Sequence, residues 1–229
     1  MKNFTNLFLL VFLFQICLVG CGEVRNSNEI PVDIEIETAP SLAEVTPISD
    51  PGNDTSPNYT FSSTEVGTIS YGGSCSAGIT SSVIGSNTIT LNALSEGTYS
   101  DCTIIVTDPF GNVSDTLTLT TFEIDTTSPT VSEVTVVTNP TNDTTPNYTF
   151  SSNESGTISF GGSCSSSTTS ATSGNNTIAL KGSSSSTLVE GTYSDCTITV
   201  TDEAGNVSSS ITITTVSYTH LTLPTIYSV

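Results

Sequence analysis

The 229-residue sequence has no tryptophan, one histidine and one methionine, and its three basic residues stand against twenty-two acids. Each shortage excludes something. A single histidine, His220, leaves almost no supply of the commonest general base and metal ligand. With so few lysines and arginines the chain cannot neutralise phosphates, so nucleic acid is excluded as a partner. The formal net charge of −19 also repels anionic headgroups, and it suits calcium, whose ligands are oxygens. What is abundant instead is Thr, Ser, Asn and Gly, the composition of an extracytoplasmic β protein.

The one long apolar run lies at the start. Lys2 precedes an apolar stretch from Leu7 to Val19, broken only by Gln15 and closed by Gly20 and Cys21. It is short for a spanning helix, which needs about 20 apolar residues, and reads as a secretory signal peptide. The Leu18, Val19, Gly20, Cys21 box resembles the bacterial lipoprotein signal. That resemblance implies removal of residues 1–20 and lipidation of Cys21, with two or three acyl chains giving stable membrane attachment. Gly22, standing where aspartate would signal inner-membrane retention, implies the outer membrane, so the expected location is the outer membrane or cell surface, lipid-anchored. Loss of Lys2 leaves Arg25 and Lys181, and a charge close to −20. Residues 21–42 read as a lipidated tether, acidic and proline-spaced, about twenty residues spanning roughly 25 Å as a flexible coil.

Internal repetition is the strongest signal in the chain. NDTSPNYTFSS (53–63) returns as NDTTPNYTFSS (142–152), and GTISYGGSCS from Gly67 returns from Gly156 as GTISFGGSCS, both shifted by 89. EGTYSDCTIIVTD from Glu96 returns from Glu190 as EGTYSDCTITVTD, shifted by 94. The five extra residues lie in KGSSSST (181–187), an insertion of the kind a surface loop tolerates. The reading gives two domains, residues 43–125 and 126–215. Each alternates in short strands, with Tyr59 and Phe61, Ile69 and Tyr71, Ile89 and Leu91, and Leu117 and Leu119 each sharing a face. Cys102, Ile104 and Val106 form the inward set of the longest strand. DPFGN (108–112) and DEAGN (202–206) are hairpin-type turns. About seven strands in such a length is the signature of an immunoglobulin-like sandwich.

GTYSDCTITVTDEAGNVS, with FEIDTTSPTV after the first copy, resembles the bacterial Ig-like repeats of long surface proteins and adhesins. The resemblance implies an all-β chain of two tandem immunoglobulin-like β-sandwich domains with a structural or binding role. It is a good marker of family and a poor one of function. The last residues break the pattern. VSYTHLTLPT (216–225) resembles a translated transposon sequencing adapter read in one frame, so residues 216–229 are expected to be a non-native tail. The natural protein is then expected to continue past Thr215.

Six cysteines divide without remainder. Cys17 leaves with the signal, Cys21 takes lipid, and each repeat keeps one pair, Cys75 with Cys102 and Cys164 with Cys196. Even, repeated spacing in an exported chain favours disulfides. Cys75 follows the third expected strand, so the bridge should join neighbouring strands of one sheet, unlike the antibody arrangement. Tyr99 sits three residues before Cys102 where the tyrosine corner has two, and a bulge at Ser100 and Asp101 would restore its direction.

No motif supplies a nucleophile with its base, and the chain is read as a non-enzyme. The repeated acids Glu96, Asp101, Asp108, Glu190, Asp195 and Asp202, with Asp125 in the linker, are the calcium candidates. Tandem Ig-like adhesin domains bind calcium at such junctions, as the resemblance implies. The expected partners are a membrane through the lipid anchor and an extracellular protein or glycan ligand. The leading function is a surface stalk or adhesion-type lipoprotein. The alternative is the spacer region of a surface-anchored enzyme whose catalytic domain is missing from this fragment.

Overall fold

The computed structural model describes residues 38–184 and 186–220. The expected signal peptide, Cys21, most of the tether and residues 221–229 lie outside the described residues. Runs rich in Thr, Ile, Val and Tyr, punctuated by Gly, Asn and Pro, give short strands throughout. The first repeat contains β1 (Leu42–Thr46), β2 (Asn58–Ser63), β3 (Gly67–Gly72), β4 (Ser81–Ser82) and β5 (Gly85–Thr90). It continues with β6 (Gly97–Tyr99), β7 (Thr103–Thr107), β8 (Leu117–Thr118) and β9 (Phe122–Ile124).

These strands form one sheet in the order β1-β2-β5 and a second in the order β4-β3-β7-β8, with β6 and β9 pairing separately. Alternate side chains of both sheets meet in one core. Tyr59, Phe61 and Ile89 come from the first sheet, and Ile69, Ile104 and Val106 from the second, all buried. The outward threonines pair across strands, with Thr60 and Thr88 hydroxyls 2.9 Å apart, a favourable cross-strand contact. This is an immunoglobulin-like β-sandwich, as the sequence predicts. It departs from the antibody constant arrangement, in which the fourth strand joins the sheet of the first two. Here β4 has crossed to pair with β3.

The second repeat follows the same plan in β10 (Val131–Thr135), β11 (Asn147–Ser152), β12 (Gly156–Gly161), β13 (Cys164–Ser165), β14 (Ser170–Ala171) and β15 (Gly174–Ala179). Then come β16 (Lys181–Gly182), β17 (Gly191–Tyr193), β18 (Thr197–Thr201), β19 (Ile211–Thr212) and β20 (Val216–Tyr218). Its sheets are β10-β11-β15 and β14-β12-β18-β19. Even irregularities repeat: β1 shifts register between Glu44 and Thr46, and β10 between Glu133 and Thr135. The insertion at 181–187 is more ordered at its start than a free loop, because Lys181 and Gly182 pair with Ser165 and Cys164.

β1 opens at Leu42, and in the second repeat β20 takes the place that β9 has in the first. Val216 and Tyr218 fill the core positions of Phe122 and Ile124. The slot accepts them because it is held by backbone atoms: Gly52 N donates to Glu123 O, and Thr141 N donates to Ser217 O, each at 2.9 Å.

Both disulfides form, Cys75–Cys102 with a Cα–Cα distance of 5.1 Å and Cys164–Cys196 with 5.3 Å. Gly72 at the end of β3 pairs with Thr103 at the start of β7, so the first bridge joins neighbouring strands of one sheet, as expected. Gly73 makes the approach possible. Its φ is +71°, and a Cβ there would collide with the Asp101 carbonyl oxygen. The tyrosine corner is present despite the altered spacing. The chain leaves strand geometry over residues 100–102, and Tyr99 Oη donates to Ser95 O at 2.8 Å while its ring stacks on Phe122. Tyr193 makes the same bond to Val189 O at 3.1 Å.

Candidate functional site

The seven acids proposed from sequence separate into different duties. Asp108 is a turn anchor. Its Oδ1 accepts from the amides of Phe110 (2.9 Å) and Asn112 (2.8 Å), and its Oδ2 from Asn112 Nδ2 at 2.7 Å. Burial pushes its carboxyl up, but these bonds outweigh it and hold the group below the usual aspartate range. Asp101 and Asp195 brace the turns beside the disulfides, accepting from Ser74 Oγ (2.9 Å) and Ser163 Oγ (2.8 Å). The Ser163 hydroxyl, then its amide, lower the Asp195 pKa. Glu96 clasps the linker, its Oε2 accepting from the hydroxyls of Thr127 (2.8 Å) and Thr126 (2.9 Å). Those two bonds lower its pKa in that order. Glu190 is exposed on the corresponding turn of the second repeat.

The remaining two meet at the junction between the repeats. Carboxylate oxygens of Asp125, Asp202 and Glu154 lie within 4.8 Å of one another, all three residues being half-buried. Asp125 comes from the end of β9 and Asp202 from the turn after β18. Glu154 sits in the turn between β11 and β12, and no sequence argument had singled it out. The one available signal was its counterpart Glu65, acidic at the same place in the first repeat.

The junction is fixed by backbone and side chain together. Asn206 Nδ2 donates to the Asp125 carbonyl oxygen at 2.8 Å and to Asp202 Oδ2 at 3.0 Å. Asp202 Oδ1 accepts from the amides of Gly205 (2.7 Å) and Asn206 (2.8 Å). The DEAGN turn of the second repeat therefore rests on the end of the first, and a Cβ on Gly205 would come within 3.4 Å of Asn53 Nδ2. Three carboxylates so close repel one another in the absence of a cation. As a donor set, all oxygen and partly shielded, they fit a hard cation of the calcium type.

No protein-family model matches this sequence, and no curated protein matches it. Solved structures show similarity at low identity. The fibronectin(III)-like modules of Clostridium thermocellum CbhA share 13% identity with a TM-score of 0.43, covering 78% of this chain and 94% of that one. The D00-D0 domain of intimin shares 16% identity with a TM-score of 0.33, covering 76% of this chain and 99% of that one. SGBP-B of the Bacteroides ovatus mixed-linkage glucan utilization locus, solved in complex with a mixed-linkage heptasaccharide, shares 18% identity with a TM-score of 0.25. That match covers 81% of this chain and 48% of the other.

Proposed function

We propose that the chain is a lipid-anchored cell-surface protein of structural or adhesion type, in which the Ig-like repeats act as stalk or binding modules and not as an enzyme. The observation that carries this reading is the built junction: the second repeat is seated end to end on the first through Asn206 and Asp125. Two modules joined by a loose linker would need no such contact. The lipoprotein box ending at Cys21 supports attachment to the outer membrane. Calcium held by Asp125, Glu154 and Asp202 would offset most of the junction's negative charge and stiffen it, and an extracellular protein or glycan is the ligand class for the exposed faces. The string at residues 216–225 is read as adapter-derived, which resequencing of the gene tests directly.

The function is tested in cells expressing the full chain. Labelled palmitate should enter the protein and be lost in Cys21→Ala, and protease added outside intact cells should degrade the repeats. Palmitate labelling that survives Cys21→Ala, or repeats that stay protected from protease, would overturn the surface-anchor reading.

A further inference from the structure

Four large apolar side chains stand in solvent at one end of the first repeat. Val66 (47% exposed) closes the turn between β2 and β3. Val83 (57%) and Ile84 (69%) form the turn between β4 and β5, and Phe110 (71%) tips the turn after β7. Strand pairing collects these turns. Ser63 lies opposite Gly85, Gly67 opposite Ser82, and Thr68 opposite Thr107, so all three project from the same edge of the sandwich. The chain enters the domain there too. Ser41 N donates to Thr64 Oγ1 at 2.9 Å, Thr64 N donates to Ser41 O at 3.1 Å, and Thr38 Oγ1 donates to Glu65 at 3.2 Å.

The second repeat supplies an internal control. At the matching positions it carries Ser155, Thr172, Ser173 and Ala204. The fold therefore does not require apolar tips at this end. In the second repeat that end meets another domain, and small residues suffice. In the first repeat it is the end that follows the tether, and all four positions are large and apolar. Clustered exposed apolar side chains mark a contact surface.

We propose that this end of the first repeat is a membrane-contact face, with Val66, Val83, Ile84 and Phe110 entering the interfacial layer of the bilayer that holds the lipid of Cys21. The proposal rests on the lipid-anchor reading above. The length of the connecting chain argues for this occupant. Residues 22–37 separate Cys21 from Thr38, and sixteen residues reach about 55 Å even at full extension. A domain held that close meets the bilayer at high effective concentration, so even a few apolar tips are enough to keep it there. Among the described residues, Glu65 and Asp108 share this end with no lysine or arginine, which selects a zwitterionic surface over an anionic one.

Because the chain lacks tryptophan, Phe110→Trp installs a single reporter. The lipidated full chain is reconstituted in phosphatidylcholine and phosphatidylethanolamine vesicles, with and without brominated acyl chains. Val189→Trp, in an exposed loop of the second repeat (69% exposed), serves as the reference. The expected result is a blue shift and severalfold stronger bromine quenching of the indole at position 110 than at 189. Giving the first repeat the second repeat's residues, Val83→Thr with Ile84→Ser, should reduce that quenching. Mass spectrometry of the same protein reports whether Cys21 is acylated. An acylated protein whose indole at 110 is quenched no more than at 189 overturns the membrane face and leaves the anchor standing. Protection of that indole from both bromine and aqueous iodide would mean that a second copy covers it, which also overturns the proposal. An unacylated Cys21 removes the anchor reading and this proposal together.

Discussion

Glu44 ties the two sheets of the first repeat together. It projects from β1, and its carboxylate accepts from the amide (3.0 Å) and hydroxyl (2.7 Å) of Thr120, between β8 and β9, and from Tyr59 Oη at 3.1 Å. Glu133 repeats the clasp on Thr214, at 2.9 and 2.6 Å. Tyr148 takes the place of Tyr59, although its buried hydroxyl falls short of ordinary hydrogen-bond geometry. Burial pushes both carboxyls up, but the threonine hydroxyl and amide outweigh it and hold both below the ordinary value of 4.5. Burial of the two tyrosines, then the facing carboxylates, raise the phenol pKa values. A carboxylate with a depressed folded pKa adds stability that is full above its unfolded pKa and is lost as pH falls through the folded value. The melting temperature should therefore drop as pH falls below about 4.5. Glu44→Gln with Glu133→Gln should flatten that acid limb while lowering stability at neutral pH, which calorimetry across pH would register. A limb unchanged by both substitutions would remove the clasp from the account.

At the scale of strands, alternation made the inward faces readable before any coordinates. Tyr59, Phe61, Ile89, Leu91, Cys102, Ile104 and Val106 are all buried, because the two-residue period of a strand fixes which side chains share a face. The cysteine pairing was readable for a similar reason, since both copies keep it at matching places. Short elements escaped. The two-residue β4 has no period to detect, and β20 is defined by what its neighbours offer rather than by its own residues. The bridges close loops across 27 and 32 positions, which stabilises each domain by roughly 3–4 kcal/mol in the chain-entropy model. The paired change Cys75→Ala with Cys102→Ala should lower the first domain's unfolding free energy by about that amount in denaturant titration. A loss under about 1 kcal/mol would mean that the folded sheets alone set the stability.

Across the whole molecule, the junction was only half legible. Asp202 recurs and Asp125 sits in a linker, but Glu154 is set beside Asp202 by the pairing of β12 with β18, where Thr157 lies opposite Thr201, and Asp125 joins them only when one domain is stacked on the other. No spacing within a repeat encodes that. If the three acids share a cation, adding calcium should raise the melting temperature of the full chain. Asp125→Asn should remove most of the increment, while Asp101→Asn, whose carboxylate accepts from Ser74 Oγ, should leave it intact. A melting temperature indifferent to calcium and to chelator would exclude a bound ion and leave the junction to Asn206.

The disulfides also have a mechanical meaning. In the stalk proposed above load runs along the chain, and a covalent bridge takes the enclosed loop out of the load path. The first bridge withholds 27 residues and the second 32, roughly 90 and 110 Å of chain that cannot pay out under tension. Once its sheets part, each domain extends less by that length than a reduced chain would. Pulling single molecules from both ends should show two unfolding steps that lengthen by those amounts once a reductant is added. Together the two bridges hold back roughly 200 Å of reach under load.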